Sequence, residues 1–115
     1  MGGGRRLGAE ALSVLPVRVE LTRSGGLAAL QQTIAADTEE LPEQEARQLE
    51  NLVEQADIET LAQRSPLRGR GADRFQYDLV VSHGGARREV TASEDVASSE
   101  LRALVDWLLH HAAGR

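Results

Sequence analysis

The sequence predicts an α+β domain of two layers in the order β-β-α-β-β-α, with a four-stranded antiparallel sheet and two helices on one face. Three observations carry that expectation. Residues 17–23 and 73–82 alternate apolar and polar side chains, the period of a half-buried strand. Each stretch runs into a glycine pair, Gly25-Gly26 and Gly84-Gly85, which supplies the positive φ that tight hairpin turns need. Residues 41–57 and 98–112 repeat apolar side chains at helical spacing. Four strands and two helices, each with one apolar face, bury those faces together in one sheet covered by helices.

Taken in order, the first strand spans 16–23, with Val17, Val19 and Leu21 on one face and Arg18, Glu20 and Thr22 on the other. Ser24-Gly25-Gly26 turns the chain. Residues 28–35 return as a weaker strand, because alanine and glutamine are poor strand formers; Leu30 and Ile34 face inward and Thr33 outward. Pro42 and the acidic residues after it open the first helix, where proline lacks only an N–H that would be unpaired and carboxylates meet the positive end of the helix dipole. Its stripe is Ala46, Leu49, Leu52, Val53 and Ala56, and it ends near Ala56 or Asp57. Residues 61–72 form a long irregular connection, broken by Pro66, Gly69 and Gly71 and locally basic. The third strand puts Phe75, Tyr77, Leu79 and Val81 on one face. Residues 86–92 return, with Val90 as the best core candidate. Ser98 or Ser99 caps the last helix, whose buried face is Leu101, Leu104, Val105, Leu108 and Ala112, flanked by Trp107.

A chain of 115 residues is the size of one domain, expected over 16–113, with residues 1–15 as a disordered glycine-rich tail. With 13 basic against 18 acidic residues the net charge is −5, the wrong sign for holding phosphates, so nucleic acid is not an expected partner. The absence of cysteine excludes a disulfide framework and a thiolate metal site. The N-terminus lacks a sustained apolar stretch before a cleavage site, and no apolar run is long enough to span a bilayer. A cytoplasmic, monomeric protein off the membrane is the expectation.

No catalytic set stands out. A metal site of the His-Glu-x-x-His kind needs two histidines one helical turn apart, whereas His110 and His111 are neighbours pointing about 100° apart on a helix. Ser82 and His83 are neighbours in a strand and point to opposite faces. The glutamates of the first helix read as its solvated face. Residues 69–73, GRGAD, lack the lysine of a phosphate loop. The chain is therefore read as a non-enzyme with no cofactor and no metal.

Four stretches carry a family resemblance: VRVELTRSGGLA at 17–28, LPEQEARQLENLVEQAD at 41–57, GADRFQYDLVV at 71–81 and LRALVDWL at 101–108. In this order and spacing they resemble the emfourin family, whose founding member inhibits protealysin, a thermolysin-like zinc metalloprotease. The resemblance covers about residues 16–109. Its most specific pieces are the RSGG turn followed by an aromatic or aliphatic residue and alanine, and the GADRF-x-Y strand start. The family often has Phe where Leu27 stands and Gly where Ala29 stands, and the extension ahead of Pro16 is longer than usual.

The resemblance implies an inhibitor that enters the active-site cleft of a thermolysin-like protease through exposed loops. Proteases of that class accept a bulky apolar residue on the primed side of the scissile bond. Leu27, held beyond a glycine turn, can serve as that plug, because a rigid loop loses little entropy on binding. The contact residues so implied are Arg23, Ser24, Gly25, Gly26, Leu27 and Ala28 in the turn, with Pro66, Arg68, Gly69 and Arg70 on a second loop. Two alternatives stay open: Leu27 folding back onto Val19 or the second helix, and a non-catalytic protein–protein interaction module with no protease target.

Overall fold

A computed structural model describes residues 16–25, 30–69 and 74–113. Strands β1 (Val17–Gly25), β2 (Leu30–Asp37), β3 (Phe75–His83) and β4 (Ala86–Ser93) form one sheet in the order β2-β1-β3-β4. All three pairings are antiparallel. The expected hairpins form, and β1 and β3 join them in the middle of the sheet. The two glycines of the second turn have φ of 59° and 85°, which leads β3 directly into β4.

Period-two patterning sets the faces. Val17, Val19 and Leu21 are buried on β1, Tyr77, Leu79 and Val81 on β3, and Val90 and Ala92 on β4. The registers Val19↔Val81 and Leu21↔Leu79 bring like faces together. Arg18, Gln76 and Glu89 on the opposite face are exposed. β2 starts and ends two residues later than the sequence suggests. Ile34 is still buried and Thr33 exposed, while Ala36 joins the core.

The sequence suggests two helices; the fold has three, α1 (Glu43–Ala56), α2 (Ile58–Arg64) and α3 (Ser99–Ala113). α1 ends at Ala56 because Asp57 adopts the left-handed conformation, φ 55° and ψ 59°. Aspartate is one of the few residues that visits this region readily. The chain then restarts as α2 and buries Ile58, with Leu61 and Ala62 packed against the core. What reads as the start of an irregular connection is thus a helix lying against β4.

α3 carries the largest helical share of the core: Leu101, Leu104, Val105 and Leu108 are fully buried. Ser98 caps it, its Oγ accepting from the Leu101 amide at 3.1 Å. α3 packs on α1, whose Leu49 is fully buried, and reaches β2. The buried residues form one cluster. No helix among the described residues is long and apolar enough to cross a membrane.

Candidate functional site

β1 runs toward the same end of the sheet from which β3 sets out, so the last residue of β1 and the first of β3 lie side by side. Gly25 pairs with Leu30 on one flank and Phe75 on the other. Its φ is 101°, and a Cβ there would stand 2.8 Å from the carbonyl oxygen of Arg74. Only glycine fits, which fixes where the turn leaves the sheet. Two residues earlier, the Arg23 guanidinium lies over the Phe75 ring, 4.5 Å from its centroid. It also donates to Gln32 Oε1 at 3.2 Å. Ser24 sits on the opposite face, level with Gln31 and Gln76.

The second loop is tied to the sheet. Ser65 Oγ accepts from the Thr91 amide at 2.9 Å. The Leu67 amide donates to Thr91 O at 2.7 Å, and Leu67 O accepts from the Ser93 amide at 2.9 Å. Leu67 thus extends the sheet beside β4 as an isolated parallel bridge. Pro66, Arg68 and Gly69 are exposed around it. They share an open groove with Phe75 and Gln76.

A single row therefore joins the end of β1 to the second loop. Ser24 pairs with Gln76, Gln76 with Ser93, and Ser93 bonds to Leu67. Three strand spacings separate the ends of that row, about 14 Å. Of the ten contact residues suggested from sequence, Arg23, Ser24, Gly25, Pro66, Arg68 and Gly69 come to this one end. Gly26, Leu27, Ala28 and Arg70 lie outside the described residues, as does Asp73.

A third segment, which sequence reasoning passed over, meets them there. The 3-10 turn Glu94–Val96 follows β4. Glu94 Oε1 accepts from the Phe75 amide at 3.1 Å. The Asp95 carboxylate accepts from Ser93 Oγ and fills the space above Gly69, where a Cβ would lie 1.8 Å from Oδ1. Val96 is 44% exposed. Only the tertiary pairing reveals this segment; three residues between a strand and a helix carry no periodic signal.

The charges nearby act on one buried group. Burial raises the Tyr77 pKa, Glu94 raises it further, and Arg23 and Arg102 pull it back.

The histidines stay apart from this end. His83 and His110 are exposed. His111 stacks on Trp107, rings 4.9 Å apart, with Nδ1 3.4 Å from Glu45 Oε1. Trp107 donates to Gln48 Oε1 at 3.0 Å, so this cluster staples α3 to α1. Among the described residues, no three metal-binding side chains converge.

The Emfourin family model matches residues 21–109, from the middle of β1 to the last turns of α3. The chain belongs to the emfourin family. Membership implies a metalloprotease-inhibitor role. The emfourin match includes both loops, the Glu94–Val96 turn and every strand pairing that holds them together. No curated protein and no solved structure matches the chain.

Proposed function

We propose that this emfourin inhibits a thermolysin-like, protealysin-like zinc metalloprotease by placing the loop-bearing end of its sheet in the active-site cleft. The observation that carries the reading is the row from Ser24 through Gln76 and Ser93 to Leu67, which brings the end of β1, two residues before Leu27, and the second loop to one end of the sheet. Leu27 is the plug for the primed-side apolar pocket. Arg23, Ser24 and Gly25 flank it on β1, with Gly26 and Ala28 on either side of it, and Pro66, Arg68, Gly69 and Arg70 grip the cleft beside it. The inhibitor acts as a cytoplasmic monomer and contributes no catalytic group.

Rigidity is the physical reason such an arrangement binds tightly. Each loop side chain immobilised only on binding costs roughly 0.5–1.5 kcal/mol. Here the Leu67 bridge and the Ser65 bond fix the second loop beforehand, and the glycine-only geometry of Gly25 fixes the strand end from which Leu27 follows.

The test is a pair of charge substitutions, Leu27→Asp and Arg68→Glu, each titrated against a thermolysin-like protease. Leu27→Asp is expected to weaken inhibition by about a hundredfold, the size of a lost apolar anchor. Arg68→Glu is expected to cost less. Competition with a small zinc-directed inhibitor of the same cleft should abolish binding. Inhibition that survives both substitutions, or that is additive with the small inhibitor, contradicts binding in the cleft. A protein that inhibits no such protease acts instead as a non-catalytic interaction module.

A further inference from the structure

We infer that the Glu94–Val96 turn is a third part of the protease-contact surface, with Val96 as its apolar contact against the rim of the cleft. The inference rests on the inhibitor reading above and extends it to a segment outside the two loops. Stable protein–protein interfaces bury about 800 Å² per partner and use roughly 20–30 residues on each side, more than two short loops provide. Further surface must lie next to them, and the turn is tied to the start of β3, beside Gly25, and to the second loop.

Its attachments are specific. The Phe75 amide donates to Glu94 Oε1 at 3.1 Å, tying the turn to the residue that pairs with Gly25. The Ser93 amide donates to Leu67 O at 2.9 Å, tying it to the second loop. Asp95 occupies the space over Gly69, so residue 69 leaves no room for a side chain where the turn packs on the loop.

Single exposed apolar side chains are common on protein surfaces. Val96 differs in being the one large hydrophobic residue among the described residues that stands exposed, and in standing on a turn braced from two sides. A β-branched side chain on a fixed turn has little rotamer freedom left to lose on contact. The matching partner surface is an apolar patch on the cleft rim, beside the pocket assigned to Leu27. The flanking Glu94 and Asp95 carboxylates are engaged within the protein, so the partner need not present cations to them.

The experiment compares wild type, Val96→Asp, Val96→Ser and the distant control Gln55→Asp as inhibitors of one thermolysin-like protease, with thermal melting of each free protein. Hydrogen exchange is followed at amides 94–97 with and without the protease. Val96→Asp is expected to raise the inhibition constant at least about tenfold and Val96→Ser by about threefold, with melting unchanged and the control near wild type. The amides of the turn should gain protection in the complex. Wild-type inhibition with equally potent Val96 variants and no added protection overturns this inference and leaves the inhibitor reading intact. Absence of inhibition by the wild type overturns both.

Discussion

Gly25 shows how much of the site depends on one residue lacking a side chain. It combines a φ of 101° with a carbonyl oxygen 2.8 Å from where a Cβ would be, so Gly25→Ala meets both backbone strain and a backbone collision. The expected loss is roughly 1–3 kcal/mol in urea unfolding. Gly85 is the internal control. Its φ is 85°, but nothing lies within 4 Å of its Cβ position, so Gly85→Ala should cost only the conformational part, about 1 kcal/mol. Equal losses at the two positions would show that the Arg74 contact is not a constraint. Tyr77 gives a second residue-level prediction. Its pKa is raised above the ordinary 10.0, mainly by burial, so the folded state holds this proton more tightly than the unfolded state. Its contribution to stability is complete below about pH 10 and is lost as pH rises through the folded value. Tyr77→Phe should therefore flatten the alkaline decline of stability, read as melting temperature against pH. An unchanged slope would place the proton-linked loss elsewhere.

At the scale of elements, α2 is the informative case. Ile58, Leu61 and Ala62 do stand at helical spacing, but seven residues are too few for the period to be distinctive. The break ahead of them is made by Asp57, not by glycine or proline, so no strong punctuation marks it. β1 and β3 were legible because Val17, Val19 and Leu21, and then Tyr77, Leu79 and Val81, alternate without interruption. β2 lies two residues later than its sequence suggests because its alanines suit either face. Strand order was not legible, since the β1–β3 pairing is set by packing rather than by any local signal. The same limit hid part of the site: Arg23 and Phe75 are 52 positions apart in sequence (75 minus 23), and their cation–π contact exists only through that pairing. If α2 is a true part of the core, Ile58→Ala should destabilise the protein by about 2–4 kcal/mol, as a buried large-to-small change does. A loss under about 0.5 kcal/mol, the usual range for surface sites, would return residues 58–64 to the status of a surface connection.

For the molecule as a whole, the core seams and the proposed protease contact lie at different ends. The apolar seams of α1 and α3 against the sheet hold the fold, and the Trp107–His111–Glu45 staple closes the end of α3 far from its Ser98 cap. The opposite end, where the last residue of β1, the Leu67 loop and the Glu94–Val96 turn lie, is fixed by backbone hydrogen bonds and close glycine packing. Substitutions on loop side chains there should change binding with little effect on folding. The most direct measurement is a titration of the purified protein into a thermolysin-like metalloprotease from the same organism, following peptide hydrolysis with and without preincubation. The account predicts a sharp loss of activity that is complete at one inhibitor per protease. Full activity at micromolar protein, against several such proteases, would contradict it.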